Sequence, residues 1–168
     1  MPAKQAAQAT SAEKIQTTYK HLSLAATELN TASDGLADAV LMLDDTLRRL
    51  NLGVSAWVTL SGDDDEDGSW WQRAIGYTRI GDKWGIALKN ASGHYAIPDR
   101  DSVEEWLFND APRWMRVESV GRIPDLLEAL LKQAQDTTRK IKAKTEEALV
   151  LVQAVNKSVE DAQRAEQK

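Results

Sequence analysis

The stretch WWQRAIGYTRIGDKWGIALK, residues 70–89, decides the fold of the central part of the chain. Two runs of alternating side chains flank Gly81 and Asp82, and a two-residue connector of this kind predicts a β-hairpin. We predict strands over 70–80 and 83–89. The connector fixes their register, which pairs Ile80 with Lys83, Arg79 with Trp84, Tyr77 with Ile86 and Ile75 with Leu88.

This register gives the hairpin two unlike faces. One face carries large side chains and is the predicted core face, to be covered by helices: Trp71, Ile75, Tyr77, Trp84, Ile86 and Leu88. The other carries small ones: Ala74, Gly76, Thr78, Gly85 and Ala87. We expect Trp57 to cover the glycines of this second face, an arrangement called aromatic rescue. The small face is either a shallow ligand or partner surface or a helix-packing or solvent-facing surface.

Shorter elements surround the hairpin. Alternation over residues 52–60 predicts a half-buried strand. Residues 103–108 fit either one helical turn or an edge strand. Pro112 is expected to open a short helix over 113–120.

The two flanks of the chain both follow a four-three spacing of apolar residues, which is typical of a coiled-coil seam. The first series is Ile15, Tyr19, Leu22, Ala26, Leu29, Ser33, Leu36, Val40, Leu43, Leu47 and Leu50. The second is Leu127, Leu131, Ala134, Thr138, Ile141, Thr145, Ala148, Val152, Val155, Val159 and Ala162. The first series keeps its phase through Gly35, so we expect one helix there. Pro124 marks the start of the second helix.

The matched flanks predict an antiparallel helical hairpin with the sheet at one end. Small residues dominate the second seam, so each pair buries little apolar area. We therefore expect two chains to dimerise into a four-helix arrangement. The alternative is a monomer whose helices fold back over the middle.

The predicted fold class is α+β, with one structural domain overall. It comprises an N-terminal long helix over 1–51, a Trp-rich β-meander head with short helices over 52–122, and a C-terminal long helix over 123–168. The meander is expected to be a small antiparallel sheet of three to four strands. Nine of the ten aromatic residues lie between Trp57 and Trp114.

Composition restricts the chemistry. The chain of 168 residues has no Cys, which excludes disulfides, zinc–thiolate sites and cysteine nucleophiles and fits a cytoplasmic location. Its formal charge is −5 and no region is basic, so nucleic-acid binding lacks an electrostatic source. The beginning of the chain has no apolar signal segment, and the longest apolar run, 148–152, is too short to span a membrane.

Candidate sites are few. Asp63, Asp65 and Asp67 match the first ligand positions of an EF-hand loop, but position 12 is Ala74, so at most a weak divalent cation site is expected. His21 and His94 belong to no catalytic motif. Interaction residues are predicted at Trp57 and at a cation–aromatic corner formed by Arg113, Trp114 and Arg116.

These observations favour a non-catalytic, self-associating scaffold protein without a cofactor. The expected partner is a second copy of the chain, and a further protein partner is possible. One alternative is a peptide- or small-molecule-binding module that uses the Trp-rich sheet or the Arg113/Trp114 corner. The other is a metal-dependent enzyme that uses the acidic loop over residues 63–67.

Overall fold

A computed structural model describes the backbone of residues 2–166 and the side chains of residues 10–165. The chain divides into two compact units, with the boundary between Arg49 and Leu50. The first unit is a single helix, α1 (Pro2–Leu50). It continues through Gly35, as the unbroken phase of the apolar series predicts. The helix is followed by Asn51 and Gly53 in left-handed conformation, with φ of 46° and 62°.

The second unit contains a four-stranded antiparallel sheet followed by two helices, so the α+β class is confirmed. The strands lie side by side in chain order: β1 (Ala56–Asp64), β2 (Ser69–Ile80), β3 (Lys83–His94) and β4 (Ser102–Leu107). Single 3₁₀ turns lie at Pro98–Arg100, Phe108–Asp110 and Val120–Arg122. The helices are α2 (Arg113–Ser119) and α3 (Ile123–Glu166).

The hairpin between β2 and β3 confirms the predicted register at all four pairs, from Ile80 opposite Lys83 to Ile75 opposite Leu88. Gly81 takes a positive φ of 61° at the first position of the turn. Hairpin turns of type II′ require that conformation, which glycine adopts without steric cost.

The bounds of the first and third strands differ from the prediction. The first strand begins at Ala56 rather than Leu52, because the left-handed Asn51 and Gly53 occupy the segment between helix and sheet. It then extends to Asp64, which pairs with Trp70. The third strand continues past Lys89 to His94, because both β2 and β4 pair with its second half. Residues 102–107 form an edge strand, which resolves the ambiguity over 103–108.

The core of the second unit lies on the predicted large face of the sheet. Ile75, Ile86 and Leu88 are fully buried, and Tyr77 is 2% exposed and stacks on Trp84 with ring centroids 5.7 Å apart. Met115 of α2 and Leu126 of α3 are also fully buried. The helix α3 contacts β1 and β2, and its buried leucines, Leu126 and Leu130, lie near its beginning. The predicted core face is therefore confirmed.

The short and long helices of this unit follow one another almost without interruption. Only the 3₁₀ turn that contains Gly121 lies between them, and α3 begins at Ile123, one residue before the predicted start at Pro124. Of the helices described over residues 2–166, none has a stretch that is both apolar and long enough to cross a bilayer.

Candidate functional site

The predicted seam of α1 changes character along the helix. Its N-terminal positions are exposed: Ile15 by 67%, Tyr19 by 72%, Leu22 by 63% and Leu29 by 53%. Its C-terminal positions include Val40 and Leu47, which are buried. The described part of α1 thus leaves a run of large apolar side chains in contact with water over about four turns, which is unfavourable.

The N-terminal part of α3 carries a second apolar stripe beside the predicted seam. The leucines that face the sheet are Leu126 and Leu130, which are buried, whereas the predicted Leu127 and Leu131 are exposed. The buried stripe therefore lies one residue earlier than the four-three series. One stripe of α3, with Leu126 and Leu130, is buried. The four-three series, with Leu127 and Leu131, follows a different stripe of the same helix.

Beyond the sheet, the four-three series of α3 lies at the surface. Every side chain described from Thr138 onward is exposed, and the large seam residues Ile141, Val152, Val155 and Val159 are 49–60% exposed. A shallow groove of about 430 Å³ follows this face, lined by Thr137, Lys140, Ile141, Lys144, Thr145 and Ala148. The α3 seam, by which we mean the series from Thr138 to Ala162, is therefore an apolar surface, and Lys140 and Lys144 flank it along the groove.

Trp57 lies where aromatic rescue predicts. It is the cross-strand partner of Gly76, and its six-membered ring lies against the glycine so closely that an added Cβ would be 2.4 Å from Cδ2 and Cε3. The ammonium of Lys89 lies 4.1 Å from the centroid of the same ring and 3.9 Å from the carboxylate of Glu105. Trp57 therefore covers the small face of the sheet and orders a lysine over it.

A second tryptophan repeats this arrangement further along the small face. Trp70 pairs with Gly93, where an added Cβ would be 2.7 Å from Cζ2 of the ring. Tyr95 lies beside it, with ring centroids 6.5 Å apart. This pair was not predicted from the sequence, although the hairpin register, continued toward the far end of the two strands, places Trp70 opposite Gly93.

An open cleft of about 550 Å³ adjoins these rings, lined by Thr59, Gly62, Asp63, Asp64, Trp70, Trp71, Gln72 and Tyr95. Within it, the hydroxyl of Tyr95 donates a hydrogen bond of 3.0 Å to Oδ1 of Asp64. That hydrogen bond to a carboxylate raises the pKa of Tyr95, because the bond favours the neutral phenol. The amide of Gln72 donates to the hydroxyl of Thr59 at 2.9 Å.

The predicted corner of Arg113, Trp114 and Arg116 is built differently from the expectation. The cation over Trp114 is Arg73 of β2, whose guanidinium carbon is 4.5 Å from the Trp114 centroid and 4.7 Å from that of Trp71. Its carboxylate partner is Glu118 at 3.8 Å. Arg113 is exposed and Arg116 is half-buried. The position of Arg73 beside Trp71 could have been predicted from the sequence, because alternation along β2 places Arg73 on the face of Trp71 and Ile75.

The acidic loop closes a tight turn. Asp63 and Asp64 end β1, and the amide of Gly68 donates to the carbonyl of Asp65 at 2.9 Å. The backbone N–H of Ser69 donates to Oδ1 of Asp67 at 2.9 Å, which lowers the pKa of Asp67. Within the described part of the chain no three acidic, His or Cys side chains are grouped so that they could hold a metal. The geometry around Asp63, Asp65 and Asp67 thus gives a cation site no support.

The two histidines lie in different elements, one on α1 and one at the end of β3. His21 is exposed on α1. His94 ends β3, where its Nδ1 accepts a hydrogen bond of 3.1 Å from the backbone N–H of Ala96 and its ring lies over Gly68. His94 therefore has a local structural role in the turn after the strand.

Comparisons with known proteins identify no relative: no family model, no curated protein and no solved structure matches this chain. The function of the chain must therefore be inferred from its own residues and their geometry.

Proposed function

We propose that this chain is a non-catalytic, cytoplasmic scaffold protein that self-associates through coiled-coil pairing of its long helices. The observation that carries the proposal is the exposure of the four-three series on both α1 and α3. Ile15, Tyr19, Ile141 and Val155 are each 60–72% exposed, yet all four occupy positions that a coiled coil buries.

The size of this apolar surface supports an intermolecular partner. Exposed apolar residues are ordinary when they are scattered, but here they recur at the period of a packing seam over five heptads. Burying one Val or Leu side chain contributes about 1.5–3 kcal/mol. The α3 seam offers four large side chains per chain, Ile141, Val152, Val155 and Val159, and their burial on pairing opposes the loss of rotational and translational freedom.

The binding-module alternative has weaker support. Of its four predicted interaction residues, Trp57 packs against Gly76 and Trp114 against Arg73. Both tryptophans thus have partners within the chain that account for their positions. The cleft beside Trp70 is open, and neither Trp57 nor Trp114 lines it.

The test compares two lysine substitutions on the same helix. Val155→Lys places a charge in the α3 seam, and Val150→Lys places it outside the seam at a valine of similar exposure, 64% against 60%. We expect the unchanged chain to be a dimer at micromolar concentration by light scattering. Val155→Lys should weaken the dimer at least tenfold, since tenfold corresponds to only about 1.4 kcal/mol.

The matched variant separates pairing from general surface effects. Val150→Lys is expected to leave the mass unchanged, and far-UV circular dichroism of both variants should match the parent, because α3 is exposed at both positions. A monomeric parent chain would refute the proposal. Equal weakening by both substitutions would show that the seam is not the interface.

A further inference from the structure

We propose that the partner of the α3 seam is the α3 seam of a second copy, in antiparallel orientation with the two-fold axis at the level of Val150. This inference rests on the proposed self-association and specifies which surfaces meet. It is carried by the α3 seam and by two exposed leucines that flank it, Leu149 and Leu151, which are 56% and 67% exposed.

The register follows from the spacing of the seam itself. Antiparallel coiled coils pair each a position with a d position of the partner. With the axis at Val150, residues equally far before and after it lie level, which pairs Ala148 with Val152, Thr145 with Val155, Ile141 with Val159 and Thr138 with Ala162. All four layers then match an a position with a d position, and none is left without a partner.

The flanking positions select this register among those the seam permits. In an antiparallel pair, residues at e face e and residues at g face g. With the axis at Val150, Leu149 meets its own copy at e, and Leu151 meets its own copy at g. A shift of the partner by one heptad toward the sheet would place Leu149 against Lys142 and Leu151 against Lys144. Only the centred register buries the two leucines against apolar side chains.

Charge disfavours the parallel alternative. Residues 139–144 carry four cations and no carboxylate: Arg139, Lys140, Lys142 and Lys144. A parallel, in-register pair would bring this segment alongside itself, and like charges at close range repel. In the antiparallel pair the same segment runs beside residues 156–161, which carry two carboxylates, Glu160 and Asp161, and one cation, Lys157. The antiparallel orientation therefore places the four cations beside a segment that carries carboxylates, whereas the parallel orientation places them beside one another.

The part of α3 that would form the interface is exposed in the second unit. The buried and half-buried positions of α3 end before Thr138, where full exposure begins. The proposed layers extend from Thr138 to Ala162 and thus use the free part of the helix. The surface that each copy offers is identical, as a two-fold interface requires.

Cysteine cross-linking tests the inference, because the natural chain contains no Cys and each variant carries one thiol. An equal mixture of Ile141→Cys and Val159→Cys chains, oxidised with glutathione disulfide, should give the mixed dimer. Leu151→Cys alone should cross-link to itself across the axis. Val150→Cys, on the outer side of the helix, is the matched control and should remain uncross-linked.

The outcomes separate the inference from the function on which it rests. In the antiparallel pair, two copies of residue 141 lie about 27 Å apart, since they are separated by eighteen residues at 1.5 Å each. A homodisulfide of Ile141→Cys alone would therefore indicate a parallel pair and overturn the inference while leaving self-association intact. A dimer by light scattering that gives no disulfide at residue 151 would also overturn it. A monomer throughout would refute both.

Discussion

Substituting Gly76 by alanine tests the packing of Trp57 on the small face of the sheet. The added Cβ would lie 2.4 Å from two carbons of the indole ring and 2.8 Å from the carbonyl oxygen of Ala56. Carbon atoms in contact are ordinarily about 3.5–4.0 Å apart, so the ring must move by more than ~1 Å. The strand cannot avoid this by shifting, because Gly76 is paired on both sides, with Trp57 and Ala87.

The expected loss of stability combines two contributions. Overpacking a fixed site costs about 1–3 kcal/mol. Moving the Trp57 ring also separates it from the ammonium of Lys89, now 4.1 Å from the centroid, and a cation–π contact at a partly exposed site contributes about 0.5–1 kcal/mol. We expect Gly76→Ala to lower the free energy of unfolding by about 1.5–4 kcal/mol.

Urea unfolding at a fixed protein concentration, followed by circular dichroism, measures this change. Gly35→Ala is the matched control, because an added Cβ there meets nothing within 4 Å and lies within α1. It should stabilise the helix by about 1 kcal/mol. In a Trp57→Ala background the cost of Gly76→Ala should fall by at least ~1 kcal/mol. A cost under about 0.5 kcal/mol in the natural background would refute the account of Trp57.

Two further substitutions test polar contacts of the sheet. Arg73→Met keeps the unbranched stem but removes the cation over Trp114, and we expect a loss of about 1–2 kcal/mol in the free energy of unfolding by urea titration; a loss at or near zero would contradict the stacking. Asp64→Asn should lower the pKa of Tyr95, seen as earlier tyrosinate absorbance at 295 nm, with Tyr95→Phe identifying the group. Because the folded-state pKa of Tyr95 is raised, its contribution to stability is present below its ordinary pKa of 10.0 and is lost as pH rises through the folded-state value.

The hairpin was predictable pair by pair for a specific reason. A two-residue connector leaves the register no freedom, so the position of Gly81 and Asp82 determines which residues face each other across β2 and β3. The same register places Trp57 and the glycines on one face, once β1 pairs with β2. Local turn chemistry and alternation were sufficient there.

The extent of β1 was less accessible to sequence reasoning. Asp63 and Asp64 have low strand propensity and suggest a loop, yet they pair with Trp71 and Trp70. Pairing with a neighbouring strand overrides the preference of individual residues, and nothing in the acidic run itself indicates where the turn closes. At the other end of β1 the sequence predicts too long a strand. Val54 continues the alternation of the strand, although the left-handed Gly53 precedes it and the strand begins only at Ala56.

The phase of α3 at the sheet could not have been decided from the spacing alone. The helix carries two leucine doublets four residues apart, 126–127 and 130–131, so either member of each doublet satisfies the helical period. Contact with the sheet selects Leu126 and Leu130. The four-three series of the remaining helix extends back to Leu127 and Leu131 instead, and no local feature distinguishes the two phases.

The second apolar stripe of α3, which includes Leu127 and Leu131, needs an explanation of its own. A helix that only covered a sheet would need one apolar face, and polar side chains at 127 and 131 would satisfy water. Instead Leu131 is 60% exposed and continues in phase through Ile141 to Val159, far beyond the last contact with the sheet. These side chains lie outside the buried core of the second unit. Because exposed apolar patches of this kind mark interaction surfaces, their regular spacing supports our proposal that a second copy of the same seam covers them.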